Sequence, residues 1–147
     1  MSGQVFRTVV EVFTFDIDVA DHVSNIVYLR WLERARVRFL DGVGLPIEEL
    51  IESGVAPIIA RTEIDYLRPV RLRERVQVAL WLPRLRAASA ELHFEVTVGE
   101  DGEVAARADQ LGLFVRLDSG RPVRMPAEAR ARFEPYLSVD TEKPGGR

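Results

Sequence analysis

One segment of this 147-residue chain can form a long amphipathic helix, and it stands directly before four strand-like runs joined by short connections. In "NIVYLRWLERARVRFLDG" the residues Tyr28, Leu32, Ala35 and Phe39 recur at i, i+4, i+7 and i+11, and Trp31 and Leu40 widen the stripe. That spacing lays down a single apolar helix face. Arg30, Glu33, Arg34 and Arg38 fall mostly on the other side. The pattern predicts a helix over residues 25–41, which Ser24 or Asn25 can cap and Gly42 and Gly44 end.

The strands constrain what this helix can pack against. "VFRTVVEVFTF", residues 5–15, is rich in β-branched and aromatic residues and reads as the first. In "PIIARTEIDYL" the residues Ile58, Ala60, Thr62, Ile64 and Tyr66 alternate against Arg61, Glu63 and Asp65. "RVQVALWL" follows, and then "AASAELHFEVTV", whose Ala88, Ala90, Leu92, Phe94, Val96 and Val98 share one face. Its polar face carries Glu91, His93 and Glu95, so His93 reads as solvated or as an interface residue. "EDG" at 100–102 marks a hairpin, and "EVAARADQLGLFVRL" completes the set with Gly112 as a candidate bulge. "LPIEELIESG" and "PAEARARFEPYL" read as short helices.

Successive strands with short links pair antiparallel, and the sheet they form must cover one face. Only the helix of residues 25–41 is long enough to do so. The simplest expected fold is therefore α+β: a curved five-stranded antiparallel sheet wrapped around a long central helix, the hotdog architecture, in an element order that other α+β rolls could share. Residues 1–137 are expected to form one domain and residues 138–147 a disordered tail.

Composition removes several classes of chemistry. With no cysteine, the chain has no disulfide, thiolate nucleophile or zinc–thiolate site. A net charge of −3 gives no reason to expect nucleic acid or an anionic membrane as partner. No apolar run is long enough to span a bilayer, and "MSGQVFRTVV" lacks a signal-peptide core, so the expected location is cytoplasmic. No metal is expected, because His22 and His93 are the only histidines and lie far apart in the chain.

The segment most loaded with reactive groups is "FDIDVADHVSN", residues 15–25, which feeds the start of the long helix. The first backbone N–H groups of a helix have no partner within it and carry partial positive charge. Such donors can hold an anion or polarise a carbonyl, and a carboxylate beside them can act as nucleophile or as a base on water. Acids before a helix also serve as ordinary caps, so composition alone leaves both readings open.

"FDIDVADHVSNIVYLRWLERAR" closely resembles the signature of the acyl-CoA thioesterases of the 4-hydroxybenzoyl-CoA thioesterase-like superfamily. That signature has an Asp-x-Asp, a turn often written Gly-His-Val-Asn-Asn, then a Tyr and a Glu-x-Ala-Arg. The matching residues are Asp16, Asp18, His22, Val23, Asn25, Tyr28, Glu33, Ala35 and Arg36. "TEIDYLRPVRLRERVQV" and "SGRPVRMPAEARARF" resemble later parts of the same family, so the likeness spans about residues 7–137. It implies hydrolysis of an acyl thioester of coenzyme A or of an acyl carrier, with no cofactor. Asp18 would be the catalytic carboxylate and the Asn25 backbone amide the carbonyl-polarising donor. Asp16 is expected as a structural acceptor, His22 as a turn-fixing or minor site residue, and Tyr28 as core or pocket wall.

The resemblance further implies a homodimer or homotetramer with sites between protomers. Arg61, Arg68, Arg71, Arg84 and Arg86 are candidate contacts to coenzyme A phosphates, although arginines there also balance nearby acids and keep sheet edges soluble. Glu33 is expected to pair with Arg30 or Arg36 along the helix. The sequence departs from the family where Asp21 replaces the turn glycine and Ser24 the first of the paired asparagines. Aspartate can occupy a positive-φ position, but it brings another negative charge near the proposed oxyanion. That charge keeps a non-catalytic thioester-binding or carrier-docking module open as an alternative. A hydratase or dehydratase using His22 with Asp18 is a further alternative, without the Asn-Pro element of that signature.

Overall fold

The computed structural model describes residues 3–138. Its elements in chain order are β1 (Phe6–Val10), α1 (Asn25–Gly42), α2 (Ile47–Glu52), β2 (Val55–Tyr66), β3 (Val76–Leu85), β4 (Ser89–Val98), β5 (Glu103–Arg116), β6 (Pro122–Val123) and α3 (Ala127–Phe133). All strand pairings are antiparallel and the order is β1-β3-β4-β5-β2. The sheet has six strands rather than the expected five, because β6 pairs with the end of β5 beyond the point where β4 stops.

This order dictates where α1 goes. β1 and β2 are neighbours in sequence but lie at opposite edges of the sheet, so the helical connection must cross a face. Four inter-strand gaps span about 19 Å and an 18-residue helix about 27 Å, which makes α1 a sufficient bridge. Its expected stripe is buried: Tyr28, Trp31, Leu32, Ala35, Phe39 and Leu40, joined by Val27. These residues share one core with Val76, Val78 and Leu80 of β3 and with Leu92, Phe94 and Val96 of β4. Ala105, Ala106 and Ala108 of β5 belong to the same core.

Three expectations need correction. The first strand ends at Val10, not at residue 15, and residues 14–16 form a 3-10 turn. Val10 pairs with Val76, where β3 begins, so the chain beyond Val10 has no strand to pair with. Phe13 and Phe15 stack on each other at 5.2 Å instead, and Phe15 remains 79% exposed.

Gly112 is not itself the bulge. It pairs with Ile59, while Arg61 pairs with Leu111, which leaves Ala60 of β2 as the extra residue. The inserted residue reverses the alternation, so Ile59 shares a face with Thr62, whereas Ile58 falls on the opposite face with Leu113. A bulge in β5 near Ala105 has a different use, since the Ala105 carbonyl accepts the amides of Leu67 and Arg68 and anchors the turn after β2.

His93 is not solvated. It is only 2% exposed, packed on Trp81 with ring centroids 4.7 Å apart. Its Nδ1 lies 2.8 Å from Asp109 Oδ1, and Nε2 lies 3.7 Å from Glu95 Oε2. At the chain end Ser138 is buried and its amide donates to Leu82, while residues 139–147, the rest of the expected tail, lie outside the described residues. Among the described residues no helix is long and apolar enough to cross a membrane.

Candidate active site

The segment between the 3-10 turn and α1 is a small hairpin of its own. Ile17 and Val23 form an antiparallel bridge, and the Asp18 amide donates to the His22 carbonyl at 2.8 Å. The Asp21 amide donates back to the Asp18 carbonyl at 3.0 Å, and Asp21 takes φ 66°. A tight turn followed by a left-handed residue is the usual three-residue hairpin connection, and glycine is its cheapest occupant. Aspartate is among the few L-residues that tolerate the position.

The two flanking aspartates have different surroundings. Asp16 is buried, its Oδ2 accepts the Phe13 amide at 2.9 Å, and its carbonyl accepts the Ser24 amide. It ties the turn to the helix entry. Asp18 faces a cleft, and its Oδ1 accepts the amides of Ala20 at 2.9 Å and His22 at 3.4 Å. Oδ2 has no intramolecular hydrogen bond among the described residues.

α1 begins at Asn25 with Ser24 in the capping position, yet no side chain caps it and no acid occupies its first turn. The opening amides therefore keep their donor capacity and the helix its positive end. Tyr28, one turn on, is buried and packs at 5.1 Å on Trp31 and edge-on at 5.0 Å on Tyr66. The Tyr66 hydroxyl donates to the Asn25 carbonyl at 3.2 Å. Burial raises the pKa of both tyrosines, and the adjacent Tyr66 adds to the rise at Tyr28. Asp18, His22, Asn25, Tyr28, Tyr66 and Arg68 thus line one cleft of about 280 Å³. Tyr66 was not singled out in the sequence; an aromatic side chain at the end of a strand, on the face shared with Thr62 and Ile64, was the available signal.

The sequence model of the thioesterase-like superfamily matches residues 12–133, which include every residue of this cleft. The chain belongs to the thioesterase-like superfamily. Among curated relatives, it is 26% identical over 128 residues to the long-chain acyl-CoA thioesterase FadM of Escherichia coli K12, covering 87% of this chain and 96% of that one. It is 27% identical over 127 residues to the chloroplastic acyl-acyl carrier protein thioesterase ATL3 of Arabidopsis thaliana, which takes in 86% of this chain but only 66% of that protein's length. Among solved structures, a thioesterase from Thermus thermophilus complexed with coenzyme A and zinc is 34% identical with a TM-score of 0.72, over 87% of this chain and 91% of that one.

Within this member of the thioesterase-like superfamily the candidate arginines separate into groups. Arg68 sits in the cleft but is fully engaged: it grips Glu74 with two bonds of 2.9 and 2.8 Å and lies 3.3 Å from Glu103. The bonded Glu74 raises the Arg68 pKa, and Arg68 in turn holds the Glu74 carboxyl below its ordinary range. Arg71 is exposed, with Nη2 3.4 Å from His22 Nε2 at the rim. Arg84 and Arg86 are not brought to the cleft. They pair with Glu91 at 3.9 and 3.5 Å, and Arg84 stands about 26 Å along β3 from Val76, the end nearer the cleft. Arg61 is exposed on β2, outside the cleft lining.

Glu33 is exposed and makes no close ion pair with Arg30 or Arg36 among the described residues. Arg36 instead reaches under the helix, where its Nη1 donates to Gln110 Oε1 at 2.8 Å. Among the described residues no three His, Asp or Glu side chains converge as a metal site would need.

Proposed function

We propose that this chain hydrolyses acyl-CoA, or an acyl thioester on a carrier, to free acid and thiol. The observation that carries the reading is the pairing, in one cleft, of the Asp18 carboxylate with an uncapped helix N-terminus at Asn25. The thioester carbonyl lies against the Asn25 amide, where the donor and the helix dipole stabilise the oxyanion as it forms. Two backbone amides hold Asp18 Oδ1, and Oδ2 acts on the acyl carbon directly or takes the proton of an attacking water. When Oδ2 takes the proton of water, the carbon–sulfur bond breaks and the thiolate leaves with that proton. When Oδ2 attacks the carbon, breaking the carbon–sulfur bond leaves an acyl anhydride on Asp18. A water then cleaves it to free acid, restoring the carboxylate and supplying the proton of the thiol.

Tyr66 supports the site rather than the chemistry, by bonding the Asn25 carbonyl and bracing Tyr28. Arg71 at the rim is the cation best placed for a coenzyme A phosphate, since Arg68 is already neutralised by Glu74 and Glu103. Residues 1–137 act as one hotdog domain, with the sheet curved around α1. The working form is a homo-oligomer joined along β2, an edge strand whose flank exposes Ile58, Tyr66 and Leu67, with Ile26 and Leu29 of α1 beside it.

The test is thiol release from short-, medium- and long-chain and aryl acyl-CoAs, run beside the matching carrier-bound thioesters. Turnover of at least one class is expected. No release from any of them, with the thioesters bound, would leave a binding module in place of an enzyme.

A further inference from the structure

Residues 68–75 carry four arginines and one acid, and their backbone takes a conformation that arginine rarely adopts. The Glu74 amide donates to the Arg71 carbonyl at 3.2 Å, which closes a β-turn over residues 71–74. Arg73 has φ 77° and Leu72 does not share the positive sign, so the turn is type II. Its third position ordinarily belongs to glycine or asparagine. Among the described residues Arg73 and Asp21 are the two non-glycine residues with positive φ. Asp21 adjoins His22 of the cleft, and Arg73 stands two residues past Arg71 at the rim. Aspartate tolerates the position; arginine has no short polar group to ease it, so the strain calls for a use of the side chain.

The turn is fixed to the site. Arg68 grips both Glu74 oxygens at 2.9 and 2.8 Å, and Glu74 Oε1 also accepts the Arg71 amide at 2.8 Å. The carbonyl of the buried Val70 accepts the Val23 amide at 2.8 Å, which joins the segment to the hairpin of Asp18 and His22. Arg71 Nη2 lies 3.4 Å from His22 Nε2. Glu74, the one acid of the segment, is therefore engaged by Arg68. Arg71 and Arg73 are exposed and have no ion pair among the described residues. Their Cα atoms are at most about 7.6 Å apart, two steps along the chain. Arg75 stands apart from them, because its carbonyl accepts the Gly99 amide beside the acids Glu100 and Asp101.

We infer that Arg73, together with Arg71, binds the phosphates of coenzyme A, so that the substrate class is the coenzyme A thioester rather than the carrier-bound one. This rests on the thioesterase reading. Both thiol carriers present a phosphate at the end of a pantetheine arm, and a guanidinium fork suits either. The charge counts favour coenzyme A. Its diphosphate and 3′-phosphate match two guanidinium groups on one short turn, whereas a carrier's arm ends in a single phosphodiester. A carrier protein would also have to cover the hairpin that holds Asp18 and Asp21, on a chain whose net charge is −3.

The experiment measures kcat/KM for octanoyl-CoA, octanoyl-pantetheine and the octanoyl thioester of an acyl carrier protein, in wild type, Arg73→Asn and Arg73→Lys. The readouts are the ratios of the coenzyme A thioester to each of the other two within each protein. Wild type should favour octanoyl-CoA in both. Arg73→Asn should lower the ratio to octanoyl-pantetheine by roughly three- to thirtyfold at low salt. The loss should shrink at about 1 M salt, and Arg73→Lys, which keeps the charge but not the fork, should fall between. Asparagine suits the positive φ, so the thermal transition of Arg73→Asn should not fall. Arg71→Met should lower the same ratio, and it decides the question if Arg73→Asn does not fold.

Binding of coenzyme A itself, the released thiol, is measured in parallel by calorimetry on wild type and Arg73→Asn. Weaker binding in the variant, with no thioester turned over by wild type, would uphold the phosphate site and remove the thioesterase. Turnover with the same ratios in every variant would overturn the inference and leave the thioesterase standing. A wild-type preference for the carrier-bound thioester that Arg73→Asn abolishes would give the turn to a protein partner and overturn the choice of coenzyme A. A lowered thermal transition in Arg73→Asn with unchanged ratios would make the arginine structural and overturn it equally.

Discussion

Asp21 is the position where this chain departs from the family pattern, and the geometry there allows a prediction with two separate magnitudes. Its φ of 66° places an L side chain in the left-handed region, which costs about 1–2 kcal/mol for an ordinary residue and toward the low end for aspartate. Asp21→Gly removes that cost but returns about 0.4–1 kcal/mol through the greater freedom of the unfolded chain. The expected net gain is therefore about 0–1 kcal/mol, which moves Tm by roughly 0–4 °C in a protein of this size. Asp21→Asn keeps a side chain that tolerates the conformation and should lie within about 0.5 kcal/mol of wild type.

The second magnitude is electrostatic. Asp21 stands four residues before Asn25, and a full negative charge about 10 Å from a forming oxyanion slows its formation by roughly two- to twentyfold between the limits of water and a protein surface. Both variants should therefore be faster than wild type at low ionic strength. Because Asp21 is exposed, the difference should close by about 1 M salt, where the screening length is only about 3 Å. Thermal denaturation and kcat/KM at two salt concentrations read the two effects independently. Both variants running tenfold slower at both salts would refute the electrostatic argument and give the Asp21 carboxylate work in the site. Destabilisation of Asp21→Gly by more than about 1 kcal/mol would refute the strain argument.

Two further outcomes follow from the bonds around the cleft. Tyr66→Phe deletes the bond to the Asn25 carbonyl but keeps the ring on Tyr28, so stability should fall by about 0.5–1.5 kcal/mol and kcat by severalfold with KM little changed; steady-state kinetics with denaturant melts check this. Glu74→Gln breaks the clamp on Arg68 and should cost about 1 kcal/mol at neutral pH. Because the folded Glu74 pKa is depressed, its contribution is complete above the ordinary carboxylate range and is lost as pH falls through the folded value. Wild type and Glu74→Gln should accordingly converge in stability on acidification, and a gap that widened instead would reverse the assignment.

The helix stripe, the succession of elements along the chain and the crowding of acids before Asn25 were legible in sequence because each is a local pattern. What escaped reading depends on contacts between distant segments. β1 stops at Val10 because β3 begins at Val76, which no property of "EVFTF" announces. The bulge at Ala60 reverses the alternation of β2, so a strict period of two put Ile58 on the wrong face. His93 sits in a polar strand face but is buried, packed on Trp81 and against Asp109, which lie 12 residues before it and 16 after it. Arg36 could be read only as a match to the family pattern and a helix neighbour of Glu33, because Gln110, which it bonds, lies 74 residues on and is itself bonded to Thr62, 48 residues back from it. Asp21 is the opposite case, since the demand for positive φ followed from the turn glycine it replaces and is what the backbone adopts.

The measurement that bears most directly on the central claim is the hydrolysis rate of Asp18→Asn on the best acyl-CoA substrate, with folding checked by its thermal transition. Asparagine preserves the size of the side chain and one acceptor for the Ala20 and His22 amides, but it is neither a carboxylate base nor a competent nucleophile. A folded variant slowed by a hundredfold or more, on the order expected for loss of a general base, is the predicted result. A folded Asp18→Asn that retains near wild-type turnover would contradict the assignment and move the chemistry to another group in the cleft.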